Sequence, residues 1–402
     1  MKQVARMLAL AMTAGALIGA RPVERVTPAA AHSTHGSGFH RDHSMRAMLL
    51  MSASVVKAAA VQTVPLYEGL GSINFPITTA SPEAQRYFSQ GLAFAYGFNH
   101  AAALASFREA QRLDPECAMC WWGEAFAHGP NINAPMDGAA NARAFGAAAY
   151  ADWLARKATP AERALTAAMV KRYSLDPTAD RAMLDAAFAD AMLAAAAAHG
   201  THDDIALLAA EAAMNTKPWD YWTADKQPNP RIGEAVRLVE TVLARTPDHS
   251  QAAHLYIHLM ENGPDPKLAE AAADRLNAPL APTLGHLVHM PAHIYYRLGR
   301  WQDSIRANVA AARADESWIK DSGDTGLVRY GYYPHNVHFI VTSAQMAGEM
   351  PTAIGEARKL ETILDPGISS QIAWIQAVHA APYFAAAQFA TPAEVLAMQA
   401  PD

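Results

Sequence analysis

From Ser81 onward the apolar residues recur at intervals of three and four, which places them on one face of successive segments and predicts a run of amphipathic helices. Prolines and glycines mark the ends of these segments. The first clear pair runs from Ala84 to Pro115. Gly91 and Ala103 are small enough for two antiparallel helices to approach closely, Phe107 fills the space between them, and Pro115 stops the second helix. A new helix follows through Trp121 and Ala125. The pattern predicts a helix from Pro160 capped by Thr159, one from Ala179 that ends before Gly200, and one from Ala235 to Pro247. Further helices begin at Ser250, Gly285 and Pro334, with Gly299 and Gly348 at turns. Gly323 to Tyr333, rich in glycine and tyrosine, reads as an inserted loop. Thr391-Pro392 opens another helix, and the chain stops soon after at Ala-Pro-Asp. A stack of helix pairs usually needs a polar closing helix, so the completeness of the C-terminus stays open.

The residues between Ala84 and Pro115 resemble one tetratricopeptide repeat, a helix pair of roughly 34 residues. The register weakens and then returns from Ser250, Gly285 and Pro334. Four motifs, Cys-Ala-Met-Cys-Trp-Trp-Gly, Asn-Ile-Asn-Ala-Pro-Met, His-Met-Pro-Ala-His-Ile-Tyr and Pro-His-Asn-Val-His-Phe, resemble a group of exported bacterial tetratricopeptide-repeat proteins of undefined activity. The likeness runs from about Leu66 to the C-terminus. It implies an all-α domain over residues 71–402, with antiparallel helix pairs stacked as a right-handed superhelix around a concave groove.

The N-terminus changes the picture of where such a domain works. Lys2 and Arg6 precede an apolar run from Met7 to Ala20, so residues 1–31 read as an export signal and residues 32–70 as a flexible leader. A weaker signal starts at Met45, which leaves the true start open. His32, His35, His40 and His43 in the leader read as solvated linker. No later stretch has the roughly 18 apolar residues needed to span a bilayer. The expected location is therefore periplasmic or secreted. Hydrophobic residues make up 51% and charged residues 17%, which suits packed helices. A net charge of −6 and a pI near 6.3 exclude a basic field for nucleic acid. Cys117 and Cys120 are placed for a disulfide that clamps a turn, with redox exchange or a soft metal site as alternatives. Trp121 stands where a c-type haem motif needs histidine.

The candidate chemistry lies in histidines at helical spacing. His254 and His258 share one predicted helix, His286, His289 and His293 the next, and His335 and His338 a third. Spacings of three and four put each set on one helix face. The resemblance implies that these faces line one groove, where imidazoles from neighbouring helices meet. Clustered imidazoles share no apolar purpose and repel one another when protonated, so a transition metal is the expected occupant. Copper comes first and zinc second, with iron not excluded. Glu261 and Tyr296 on the same faces are candidates for proton transfer, and whether the protein is an enzyme stays open. His128 and His379 are secondary ligand candidates. His100, His199, His202 and His249 read as turn or helix-end residues. The competing expectation is a metal-free adaptor that holds a peptide or protein segment in the groove.

Overall fold

The computed structural model describes residues 64–176, 178–278, 280–370 and 373–398. The expected export signal, the alternative start at Met45 and the leader histidines His32, His35, His40 and His43 lie outside these residues. Among the described residues the regular elements are helical, and the only strand-like pairings are isolated bridges of Asn131 with Ala134 and Trp222 with Pro228. No described helix is long and apolar enough to cross a membrane.

In chain order the helices are α1 (Pro82–Tyr96), α2 (His100–Leu113), α3 (Ala118–His128), α4 (Asn141–Leu154), α5 (Pro160–Val170), α6 (Arg181–Ala198), α7 (Asp203–Asn215), α8 (Ile232–Arg245), α9 (Ser250–Glu261) and α10 (Glu270–Asn277). There follow α11 (Gly285–His289), α12 (Pro291–Leu298), α13 (Trp301–Ser322), α14 (Tyr333–Ala347), α15 (Met350–Ile363), α16 (Pro366–Ser369), α17 (Ala373–His379), α18 (Ala381–Phe389) and α19 (Pro392–Ala397). Their starts are set by polar caps that satisfy otherwise orphaned N–H groups. Ser81 accepts from the Ala84 amide, Asn99 from that of Ala102, and Cys117 Sγ from that of Cys120. Thr159 and Glu162 form a reciprocal capping box at the predicted start of α5. The helix expected from Ala179 begins at Arg181 behind its Asp180 cap.

Two expectations about local structure are corrected. The predicted loop from Gly323 to Tyr333 is helical in its second half, where Val328–Tyr332 forms a π-helical turn that runs into α14. Burial of Val328, Tyr332 and Tyr333 holds that segment down, and Pro334 falls in the first turn of α14, where a missing N–H is tolerated. The single helix expected from Gly285 is interrupted at Pro291, whose ring cannot continue the hydrogen-bond ladder, and becomes α11 and α12.

Phe107 shows why the first helices pack so tightly. A β-carbon on Gly91 would stand 2.7 Å from its ring, and one on Gly123 2.3 Å. The phenyl is thus clamped between α1 and α3 by two glycines.

The chain also closes on itself. In an extended solenoid each repeat touches only its neighbours, yet Tyr96 Oη donates to Asp204 Oδ1 at 2.8 Å across 108 residues. Phe94 packs on Trp318 with ring centroids 5.1 Å apart. The end of the expected flexible leader takes part and is corrected accordingly. Tyr67 lies on Phe94 and Trp318, Leu70 is buried, and Thr283 Oγ1 donates to the Glu68 carbonyl at 2.7 Å. Apolar contacts at both ends of this strap offset the entropy of ordering it. One continuous core runs from Leu70 to Tyr332, and smaller clusters serve α13 to α18.

Candidate metal centre

Closure turns the expected open groove into an interior seam. His254 and His289 are 0% exposed, His258 2%, His286 5% and His293 7%. Two surface hollows lie elsewhere, one beside Leu276, Pro282 and Ala310 and the other beside Arg300, Trp301 and Gln302. Five of the seven predicted ligands are thus buried, while His335 and His338 are half-buried.

The seven predicted ligands do not form one row. His254 and His258 from α9 meet His286 from α11, and each offers a nitrogen within 4.8 Å of the others. His289 from α11, His293 from α12 and His335 from α14 form a second such group. His338 belongs to neither; it sits farther along α14, and burial lowers its pKa to about 4. An ion bound by imidazole nitrogens at roughly 2.0–2.1 Å in tetrahedral geometry needs those nitrogens roughly 3.3 Å apart. The His254–His286 and His289–His293 nitrogens, 3.1 and 2.7 Å apart, already lie near that spacing.

Hydrogen bonds choose which nitrogen faces inward. Asn308 gives its amide nitrogen to the Ser304 carbonyl at 2.8 Å, so its Oδ1, 2.6 Å from His289 Nδ1, accepts a proton from that nitrogen. Glu261 Oε1 accepts from His293 Nδ1 at 2.7 Å. With Nδ1 of each ring at an acceptor, His289 Nε2 and His293 Nε2 face each other at 2.7 Å. Two ring nitrogens at that distance share a proton or flank a metal ion. In the first triad, Gln251 donates to Glu211 Oε2 at 3.2 Å and accepts from His254 Nδ1 at 2.9 Å. His254 Nε2 lies 3.1 Å from His286 Nε2. Both ring nitrogens of His258, His286 Nδ1 and Glu261 Oε2 are buried without a protein partner. Unpartnered buried polar atoms are costly, and these belong to the triads and the carboxylate beside them.

Burial, reinforced by repulsion from neighbouring rings, pushes His254, His258, His286, His289 and His335 well below the ordinary histidine value. These five rings are therefore held neutral, the form in which imidazole binds metal.

A phenyl group seals each triad. Phe98 lies 4.8 Å from His254, 6.1 Å from His258 and 5.0 Å from His286, measured between ring centroids. Phe339 lies 4.9, 4.7 and 5.1 Å from His289, His293 and His335. Phe98 has a positive φ of 56°, a strained conformation for a bulky residue, and Trp219, edge-on to His258 at 5.1 Å, has a φ of 63°. Strain held at two residues that both contact one triad is a mark of functional sites. Neither aromatic was singled out in the sequence, because both sit between helices where periodicity is silent.

The remaining candidates are placed as follows. Glu261 joins the second triad as a ligand-orienting carboxylate. Tyr296 packs on Trp301 and Phe339, one layer farther out, and burial raises its pKa. His128 lies apart at the end of α3, 3.7 Å from Glu124, and its secondary role as a ligand is corrected. Burial would raise Glu124, but hydrogen bonds from His128 and Arg143 and the charges of Arg143 and Arg108 hold its carboxyl well below the usual range. His379, on α17, joins neither triad, and its Nε2 is buried without a partner. Cys117 and Cys120 are disulfide-bonded at the start of α3. His100, expected in a turn, opens α2 and meets Asn131 Nδ2 at 3.1 Å.

No family model matches the chain, and no curated protein matches it.

Proposed function

We propose that this chain is an exported, tetratricopeptide-like helical protein whose two buried histidine triads bind transition metal, copper first and zinc second. One observation carries the metal reading: His289 Nε2 and His293 Nε2 face each other at 2.7 Å while both Nδ1 atoms are committed to acceptors. The unpartnered nitrogens of His258 support it. So does the second layer of Gln251, Asn308 and Glu261, since ligating imidazoles characteristically donate their other N–H to such groups. The repeat reading draws on the Gly91, Phe107 and Gly123 contact, and export on the signal-like N-terminus and the Cys117–Cys120 pair. The burial of the imidazoles weighs against a peptide adaptor that would use them as contacts.

The test is metal analysis of the full chain purified without an affinity tag and reconstituted with copper or zinc. Stoichiometric metal is expected, and a His289→Ala/His293→Ala double variant should lose the share bound by the second triad. A wild-type chain that holds neither metal after reconstitution removes the reading.

A further inference from the structure

The two triads are built alike and built together. Each has three imidazoles and one phenyl ring that touches all three. Helix α11 sends His286 to one triad and His289 to the other, with the rings 6.2 Å apart. His258 and His293 face each other across the same boundary, also at 6.2 Å. Glu261 sits on the helix that supplies His254 and His258, yet it orients His293 of the other triad. Neither triad can shift without moving the other.

On the metal-binding reading above, we propose that the triads hold two copper ions as one coupled pair and that the pair binds and reduces dioxygen. Charge selects the ion. The two triads supply imidazoles, and among the described residues Glu261 is the carboxylate hydrogen-bonded to them. Glu211 lies beyond Gln251, and burial raises its pKa to about 7. Two Cu(I) ions with one carboxylate leave a single positive charge uncompensated, whereas two divalent ions leave three. Uncompensated charge in a buried site is expensive, and imidazole suits copper.

Dioxygen fits the same accounting of charge. As a small uncharged molecule it enters a closed aromatic layer without shedding a tight hydration shell. It takes one electron from each Cu(I), giving two Cu(II) and a bridging peroxide; the O–O bond is kept at lower order, and no proton is required. Two positive charges are gained by the metals and two negative charges by the oxygen, so the buried site has the same net charge before and after. With a phenyl against each triad and the triads adjoining through His258–His293 and His286–His289, the open coordination positions are assigned to the shared boundary.

The experiment loads the full, tag-free chain with Cu(I) under anaerobic conditions and then adds dioxygen. The expected result is two copper ions per chain and uptake of one dioxygen per two coppers. The oxidised ions should be silent in electron paramagnetic resonance because their spins are coupled, with a copper–copper vector of roughly 3.5–4 Å in X-ray absorption, the spacing of paired metal centres. His335→Asn should keep one copper, show the resonance of isolated Cu(II) after oxidation and take up no dioxygen in that ratio. A wild-type chain that binds two coppers but gives two independent Cu(II) signals with no copper–copper vector overturns the pairing and leaves the metal reading standing. A chain that binds zinc but no copper overturns the copper pair and leaves the metal reading standing, and one that binds neither overturns both.

Discussion

An imidazole can turn its Nε2 lone pair toward an ion only while its Nδ1 keeps the proton, and Asn308, Glu261 and Gln251 are the acceptors that keep it there. Removing one leaves the ligand in place but free to swivel or change tautomer. Asn308→Leu and Glu261→Gln should each weaken metal binding at the second triad by about 10–100-fold, the usual cost of losing an outer-shell partner. Competition titration against a chelator checks this, and unchanged affinity would show that the rings are held by packing alone. The same residues fix the pH response of the metal-free chain. Burial lowers His100 and His338 to about 4 and drives the triad rings in the same direction. An unfolded histidine titrates near 6.5, so between about 6.5 and 4 the unfolded state binds more protons. Stability is complete above that window and is lost as pH falls through it. Glu211, raised by burial from 4.5 to about 7, acts oppositely, keeping its proton in the fold as pH rises. Asp315, also raised by burial, acts in the same sense as Glu211. Several histidines outweigh two carboxyls. The Tm of the metal-free protein should therefore fall steadily from pH 7 to pH 5, and a flat profile in thermal unfolding would contradict neutral buried rings.

Among the elements, α11 has the most demanding position. A β-carbon on Gly285 would stand 1.9 Å from Asp315 Oδ1 on α13, which Asn336 on α14 holds by donating to its Oδ2 at 2.7 Å. Gly285→Ala must displace the Asp315 carboxylate or α11 itself, and α11 carries one histidine of each triad. The expected outcome is a loss of about 1–3 kcal/mol, as in other overpacked cores, together with reduced metal content at both triads rather than one. Gly123→Ala, whose new methyl would meet Phe107, should cost a similar amount in denaturant unfolding but leave the metal stoichiometry of the folded fraction intact. The contrast separates a helix that positions the centre from one that only packs. Much of this level was legible in the sequence: the Thr159 cap, the Phe107 wedge and the shared faces of His254 with His258 all follow from spacing. The break at Pro291 and the π-helical turn at Val328–Tyr332 were not, because local rules do not say how far burial will pull a tyrosine-rich segment into register.

At the scale of the whole molecule, residues 64–70 and α1 pack against segments that lie far along the chain, so the histidine layer is closed by the fold itself. Phe98, from the turn after α1, lies against His254 and His286. A ligand bound only by the closed fold must stabilise it by mass action, about 2.7 kcal/mol at a free concentration a hundredfold above its Kd. Copper titration should raise the Tm of the wild-type chain progressively, and a chelator should reverse the gain. A metal-independent Tm would mean that the triads are not occupied in the folded state.

The sequence by itself determined the all-helical character, the first helix pair, the cysteine pair and the helix faces on which the histidines stand. Those features depend on spacing, capping and side-chain size within a few turns of chain. Only the tertiary structure divided the predicted row into two triads, left His338 outside them, and brought Phe98, Phe339, Gln251 and Asn308 to the rings. The reason is that a helical period fixes direction around one axis, whereas the meeting of separate helices is set by long-range packing, here by a chain that folds back on its own beginning.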